Sequence, residues 1–246
     1  YFAHHGGDCI RLAYADAPEG PWTVHGPGTL RLEQAPAMRG HIASPDVHVD
    51  HGERRIRMYY HGIAKDRPRQ WSAVAFSGDG IHFTSSDTIL ARFYLRVWEW
   101  DDAYFGISMN DLELSGELLR SPDSRQPFEA REGFLPRMRH CAVLRREHTL
   151  WIVYSRFGDA PERLLLASMD LRADWTEWTP SEPVELLAPE MSWEGAGNPV
   201  EPSEVGMATG VRQLRDPCLF VEDGKVYLYY SVAGEEGIAG ALLHGV

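Results

Sequence analysis

Lysine is nearly missing from this chain. Only Lys65 and Lys225 stand among its 24 basic residues, and the rest are arginine. Basic residues as a whole are outnumbered by 36 acidic ones, so the formal charge of −12 repels a polyanionic backbone and sets nucleic acid aside as a partner. No run of 18 apolar residues occurs and no apolar heptad pattern is sustained, which leaves no helical membrane span and no coiled coil to explain. Cysteine is scarce as well. Cys9, Cys141 and Cys218 are odd in number and two of them sit in expected strands beside apolar neighbours, so buried, reduced thiols are expected and a cytoplasmic location is slightly favoured.

What is present is a repeat. Residues 214–231, Leu-Arg-Asp-Pro-Cys-Leu-Phe-Val-Glu-Asp-Gly-Lys-Val-Tyr-Leu-Tyr-Tyr-Ser, read as a β-hairpin: an apolar strand after Asp216-Pro217, a tight turn at Asp223-Gly224, and an aromatic, β-branched return strand. Residues 44–61 repeat the plan, with Asp46 thirteen residues before Tyr59 as Asp216 is before Tyr229. That count makes Asp46 and Asp216 equivalent. Counting back from Val153 reaches His140, and in a degenerate copy counting back from Gly106 reaches Phe93. Tyr1-Phe2-Ala3 lines up with the end of such a hairpin.

A third strand follows each hairpin, at 10–16, 71–77, 117–121, 164–168 and 238–243, and short fourth strands are expected near Trp22, Phe83, Phe128 and Trp175. Four antiparallel strands recurring five times at roughly 40–50 residues are the signature of a β-propeller. The expected fold is therefore all-β, one five-bladed propeller domain over residues 1–246, with the first blade incomplete at its N-terminus. Because the last strand has no fourth partner, residues upstream of Tyr1 are expected to supply the closing strand and the first inner strand.

Strand direction then sorts the polar residues. If inner strands begin on one face, the exit loops of the second strands return to that face. It collects Asp46, Phe93, His140 and Asp216, together with His4, His5, His61, the charged loop 156–163 that contains Glu162 and Arg163, and the long segment 189–213 with Glu201. Loops of that length in a compact domain tend to be functional.

Five such blades, with Ser44-Pro45-Asp46-Val47 and Arg215-Asp216-Pro217 at the starts of inner strands, each followed by an Asp/Gly-containing turn and a Tyr-Tyr strand, resemble the five-bladed propeller glycosidases of glycoside hydrolase family 43 and its relatives, families 32, 62, 117 and 130. The resemblance spans nearly the whole chain and implies glycan hydrolysis in an axial funnel. In those families an Asp acts as base or nucleophile, a second Asp tunes pKa and a Glu is the acid. The first position would fall before residue 1, and Phe93 and His140 stand where acids might be sought. Relatives like family 117 place a histidine in the acid role, which keeps His140 in play.

Cleaving a glycosidic bond needs one protonated group at the leaving oxygen and one ionised carboxylate at the anomeric centre or its water. Asp46, Asp216, Glu162 and His140 are the catalytic candidates. His5, His61, Phe93, Arg139, Arg163, Glu201 and Arg215 are candidates for binding the carbohydrate. Arg139 and Arg215 in particular suggest an anionic sugar, because a planar guanidinium matches a carboxylate bidentately. Hydrolysis requires no cofactor and assigns no metal ligand. A second reading, a metal-dependent lyase or other sugar-modifying enzyme, would set a divalent ion near the axis among His4, His5, His41, His61, His140, Asp46 and Asp216. A third is a non-catalytic glycan-binding propeller.

Overall fold

The computed structural model describes residues 1–246, and their regular structure is strand except for two single turns of 3-10 helix, Leu32–Gln34 and Ser192–Glu194. No helix is long and apolar enough to cross a membrane. The strands form five antiparallel meanders in chain order, as the repeat predicts. The first holds β1 (Phe2–Ala3), β2 (Ile10–Tyr14) and β3 (Thr23–His25). The second holds β4 (Met38–Asp50), β5 (Arg55–Ala64), β6 (Gln70–Ser77) and β7 (Thr84–Ser85), and a short β8 (Ala91–Arg92) pairs with the far end of β6. The third runs β9 (Arg96–Trp100), β10 (Ala103–Asn110), β11 (Ser115–Ser121) and β12 (Glu129–Pro136). β13 (Met138–Arg146), β14 (Thr149–Arg156), β15 (Leu164–Asp170) and β16 (Val184–Leu187) make the fourth, and β17 (Arg215–Glu222), β18 (Lys225–Val232) and β19 (Gly237–Leu243) the fifth.

Two compact units divide these sheets: residues 1–108 with 118–130, and residues 109–117 with 131–246. In the first, Ile10, Leu30, Met38, Ile42, Met58 and Tyr60 are packed out of water, and a neighbouring group gathers Tyr59, Val74, Leu95, Val97 and Leu119. In the second, Val153, Leu164, Leu214, Leu228 and Tyr230 do the same. Each such side chain contributes roughly 1.5–3 kcal/mol on burial. Strand composition follows position. β5 lies between β4 and β6 and reads Met-Tyr-Tyr-His-Gly in buried succession, whereas β19 alternates half-buried and exposed residues as a strand with one solvated face does.

The pairing registers correct the repeat at three points. Asp46 faces Tyr59 directly, but the residue that faces Tyr229 is Cys218, so Asp46 and Asp216 are not equivalent. The β4–β5 hairpin turns over residues 51–54 and the β17–β18 hairpin over Asp223-Gly224 alone, so equal sequence separations land at different registers. Asp216 sits instead in the bulge between Arg215 and Cys218 with φ of 47°, where the second sheet has Ser44 with φ of 50°, and a proline follows each. The count does hold between His140 and Asp216, because the β13–β14 and β17–β18 hairpins both turn over two residues. Phe93 precedes β9 in a bend, and Val97 is the residue that faces Gly106. The fourth strand of the fourth sheet is Val184–Leu187, with Trp175 in an earlier turn. Cys141 is buried as expected, but Cys218 is exposed, on the side of β17 that faces solvent.

Close strand packing limits one position sharply. Gly62, on β5 between His41 and Met38, has no room for a side chain, since an added Cβ would collide with the His41 carbonyl oxygen and press on Met38. Gly62→Ala is expected to lower stability by about 1–3 kcal/mol, as overpacking does. Urea denaturation measures this, and an unchanged midpoint would contradict the packing described.

Candidate active site

In the second unit the sequence candidates Arg139, His140, Glu162, Arg215 and Asp216 come together. Arg139 and His140 occupy the bulge between Met138 and Cys141 on β13, and on β17 Arg215 opens the bulge that holds Asp216. A bulge puts consecutive residues out of alternation, which lets Arg and its neighbour each find a polar partner. Glu162 lies in the segment joining β14 to β15, its side chain wholly buried.

Burial of that carboxylate demands compensation, and it is supplied in full. Arg139 Nη1 is 3.2 Å and Arg215 Nε 2.9 Å from Glu162 Oε2, while Ser155 Oγ donates to Oε1 at 2.7 Å. The two guanidiniums spend their other donors nearby. Arg139 donates to Ser203 Oγ at 2.9 Å and to the Gly206 carbonyl at 2.6 Å, and it lies over the Phe157 ring. Arg215 reaches Glu235 Oε1 at 2.9 Å, the Gly206 carbonyl at 3.2 Å and the side-chain oxygen of Gln213. The long loop 189–213 is thereby tied to the cluster through Ser203 and Gly206, and Tyr230 pins it again by donating to buried Glu194 at 2.7 Å.

Asp216 is the open member. Its side chain is 35% exposed, its Oδ1 lies 3.2 Å from His140 Nε2, and Ser231 Oγ donates to Oδ2 at 3.3 Å. Withdrawal from water, with Glu235 and Glu162 close by, outweighs Arg139 and Arg215 and raises its pKa to about 6. Three carboxyls thus face two guanidiniums.

The first unit holds the other candidates. Asp46 Oδ2 accepts from His48 Nε2 at 2.9 Å and from the Val97 amide at 2.9 Å. Burial pushes its pKa up, but His48, Arg96 and the Val97 N–H together hold it below the ordinary carboxylate value. His61 is buried against Phe93 and Tyr94 at ring-centroid distances of 5.7 and 4.7 Å, and its Nδ1 accepts the Tyr94 amide at 3.4 Å. Burial, then His41, Arg96 and His5, drive its pKa well below 6.5, so it is neutral at physiological pH. His41 Nε2 lies 2.8 Å from Gln70 Oε1.

Four binding candidates are held by the protein's own groups or lie outside the cluster. Arg139 and Arg215 are buried and paired with protein partners, and a guanidinium beside a buried carboxylate is spent on it. Arg163 is engaged by Glu185 at 3.2 Å. Glu201 is exposed in the long loop, outside the cluster, and its carbonyl accepts from Gln213 at 3.0 Å. No three His, Cys, Asp or Glu side chains are arranged to hold a metal ion. Sequence reasoning did not single out Ser155, Ser203 and Gly206, which complete the cluster with Glu235, a residue of the exit loop after β18 that strand direction already brings to this face.

Comparison with known structures places the fold. Over 96% of this chain, and 80% of theirs, the fold matches a GH43 β-xylosidase/α-arabinofuranosidase from a compost microbial metagenome solved with xylotriose, at 14% identity and a TM-score of 0.66. A GH43 enzyme from Xanthomonas citri complexed with xylotriose gives 0.67 at 14% identity, over 96% of this chain and 78% of that one. Cellvibrio cellulosa α-L-arabinanase complexed with arabinohexaose gives 0.58 at 11% identity, over 98% and 93%. The fold is accordingly the five-bladed β-propeller of the family 43 xylosidases and arabinanases. No family model matches the sequence. At the level of sequence the chain belongs to the same family as an uncharacterized protein of Acanthamoeba polyphaga mimivirus, with 35% identity over 268 residues that cover 99% of this chain and 75% of the viral protein.

The saturated cluster makes a stability prediction. Arg215→Met leaves Glu162 and Glu235 each short of a cation, and breaking a buried pair in this way costs about 3–5 kcal/mol. Urea unfolding should show a loss of that size. A loss below about 1 kcal/mol would mean that Glu162 is not held as a buried anion.

Proposed function

We propose that this protein is a glycoside hydrolase acting on an oligo- or polysaccharide, with Asp216 as the proton donor. The observation that carries the reading is the carboxyl of Asp216, raised to about 6, open to solvent on one side and joined to His140 on the other. The other carboxyls with resolved shifts, Asp46, Asp50, Asp66, Asp79 and Asp170, are all held low by hydrogen bonds or cations. Separation of carboxyls into one kind that keeps its proton and another that stays ionised is the division of labour that glycosidic cleavage requires. Fold likeness to enzymes solved with xylotriose and arabinohexaose supports a carbohydrate substrate.

In this account Asp216 gives its proton to the leaving glycosidic oxygen as the bond to the anomeric carbon breaks and a water molecule takes that place, losing its own proton to solvent. His140, 3.2 Å away and 4% exposed at its side chain, orients the carboxyl, which regains its proton from solvent. Glu162 takes no part in proton transfer: both of its oxygens are occupied and no face meets solvent. It fixes the arginines that set the field at Asp216.

The pH dependence follows from the sign of the shift. An acid with a pKa of about 6 is protonated below that value and loses the proton as pH rises through it, so kcat/KM on xylo- or arabino-oligosaccharides should fall above pH 6. Asp216→Asn should lower that rate by about 10²- to 10⁴-fold. It should spare aryl glycosides whose leaving group needs no proton. Wild-type protein that binds these sugars but cleaves none across pH 4–8 would leave a glycan-binding propeller as the function. Equal losses on both substrate types in Asp216→Asn would remove the acid role.

A further inference from the structure

Glu194, in the 189–213 loop, is a second buried carboxylate, and the groups that hold it are neutral donors. Its Oε2 accepts the Glu190 and Met191 amides at 2.9 Å each, and its Oε1 accepts the Tyr230 hydroxyl at 2.7 Å. The amide pair closes the single 3-10 turn Ser192–Glu194 on itself, and the hydroxyl fastens that turn to β18. Removing one donor from a buried carboxylate is costly, so each of the three matters. Apolar burial does little of this work. Met191, Trp193, Val200, Val205 and Met207 of the same loop are all exposed, and only Val211 is buried. Hydrogen bonds therefore hold the loop in place.

The loop in turn sets the position of the segment that follows β18. The Glu194 carbonyl accepts the Ala233 amide at 3.2 Å, and Ala233 has φ of 52°, an uncommon conformation for a residue with a side chain. The next two amides go to the same loop, Gly234 donating to the Gln213 carbonyl at 3.0 Å and Glu235 to the Ala208 carbonyl at 2.9 Å. Nothing fits between the two segments. A Cβ on Gly195 would lie 2.9 Å from the Val211 carbonyl oxygen and 3.1 Å from Ala233 Cα, and one on Gly234 would lie 2.2 Å from the Ala208 carbonyl oxygen. This clamped segment carries Glu235, which takes Arg215 at 2.9 Å and whose charge acts on Asp216. The loop also delivers Ser203 Oγ and the Gly206 carbonyl to Arg139, and that carbonyl again to Arg215. Glu194 thus stands behind both of the contacts that shape the surroundings of Asp216.

We propose that Glu194 is a positioning residue for the Asp216 site: fastened by Tyr230, it holds the 189–213 loop against residues 233–236 and so keeps Glu235 beside Asp216. Its effect on cleavage rests on the glycosidase reading; its effect on Asp216 does not. The groups that face Asp216 are His140, Glu162, Glu235, Arg139 and Arg215. Loosening the clamp lets Glu235 draw away and water reach the carboxyl while the arginines remain, and each of these changes favours the ionised form. Carbon-13 NMR titration and amide hydrogen exchange test this in Tyr230→Phe and Glu194→Gln. Leu150→Ala is the control, a fully buried residue at the hairpin end of β14 whose loss weakens the fold without touching the clamp. In both clamp variants the Asp216 midpoint should fall by about half a pH unit or more, roughly a threefold change in its acidity constant. Exchange at the Gly234 and Glu235 amides should quicken about tenfold. Leu150→Ala should leave the midpoint where it is. Should Glu194→Gln fail to fold, Tyr230→Phe, which deletes a single hydroxyl, decides alone. A midpoint that the clamp variants do not lower, one that falls without faster exchange at Gly234 and Glu235, or one that Leu150→Ala lowers equally would overturn the proposal. The expected shifts in a protein that cleaves no sugar would uphold the clamp while removing the glycosidase reading, so the two fail separately.

Discussion

A single carboxylate, that of Glu162, governs the second unit. It is taken wholly out of water, a state that costs several kcal/mol unless cations and donors replace the lost solvent. Arg139 and Arg215 replace it, and because they come from the bulge of β13 and the residue that opens the bulge of β17, their geometry ties those two strands and the 189–213 loop to one point. Everything proposed for Asp216 depends on this arrangement. The arginines stand close enough to moderate its pKa, yet burial and Glu235 prevail and the pKa rises to about 6.

Arginine is used differently at the surface. Inside the second unit the guanidinium is a structural cation, paired and buried. Beside Trp71 the Arg67 guanidinium is held by Asp66 and lies over the indole ring. A lysine-poor composition suits both uses, since a planar, weakly hydrated cation is buried beside carboxylate more readily than an ammonium and also stacks on indole.

Architecture was legible in the sequence because hairpins repeat a local grammar: alternating apolar strands, Gly- or Asp-containing turns, and Tyr-Tyr return strands. All five meanders fall where that grammar puts them. Register was less legible, and for a physical reason. A count along the chain passes through the turn, so the four-residue turn before Arg55 and the two-residue turn before Lys225 shift the result by one pair, and Asp46 and Asp216 appear equivalent when Ser44 and Asp216 are the matching bulge residues. Within the site, Arg139, His140, Glu162, Arg215 and Asp216 were identifiable as charged residues near strand starts. Their division into buried clamp and open acid was not, because burial and partnership arise from residues distant in sequence: Ser203, Gly206 and Glu235 lie 64, 67 and 20 residues from the arginines they bind. Arginine forks near a funnel suggested an anionic sugar at Arg139 and Arg215, and the sequence alone could not reveal that Glu162 had already claimed them.

The central claim is that burial and neighbouring carboxylates raise the pKa of Asp216 to about 6. Carbon-13 NMR titration of aspartate-labelled protein, with Asp216 assigned through Asp216→Asn, reads this directly. The account predicts a midpoint near 6 for Asp216 in wild type and a lower one in Glu235→Gln, where a like charge is removed. A wild-type midpoint at or below 4, or one that Glu235→Gln does not lower, would contradict it.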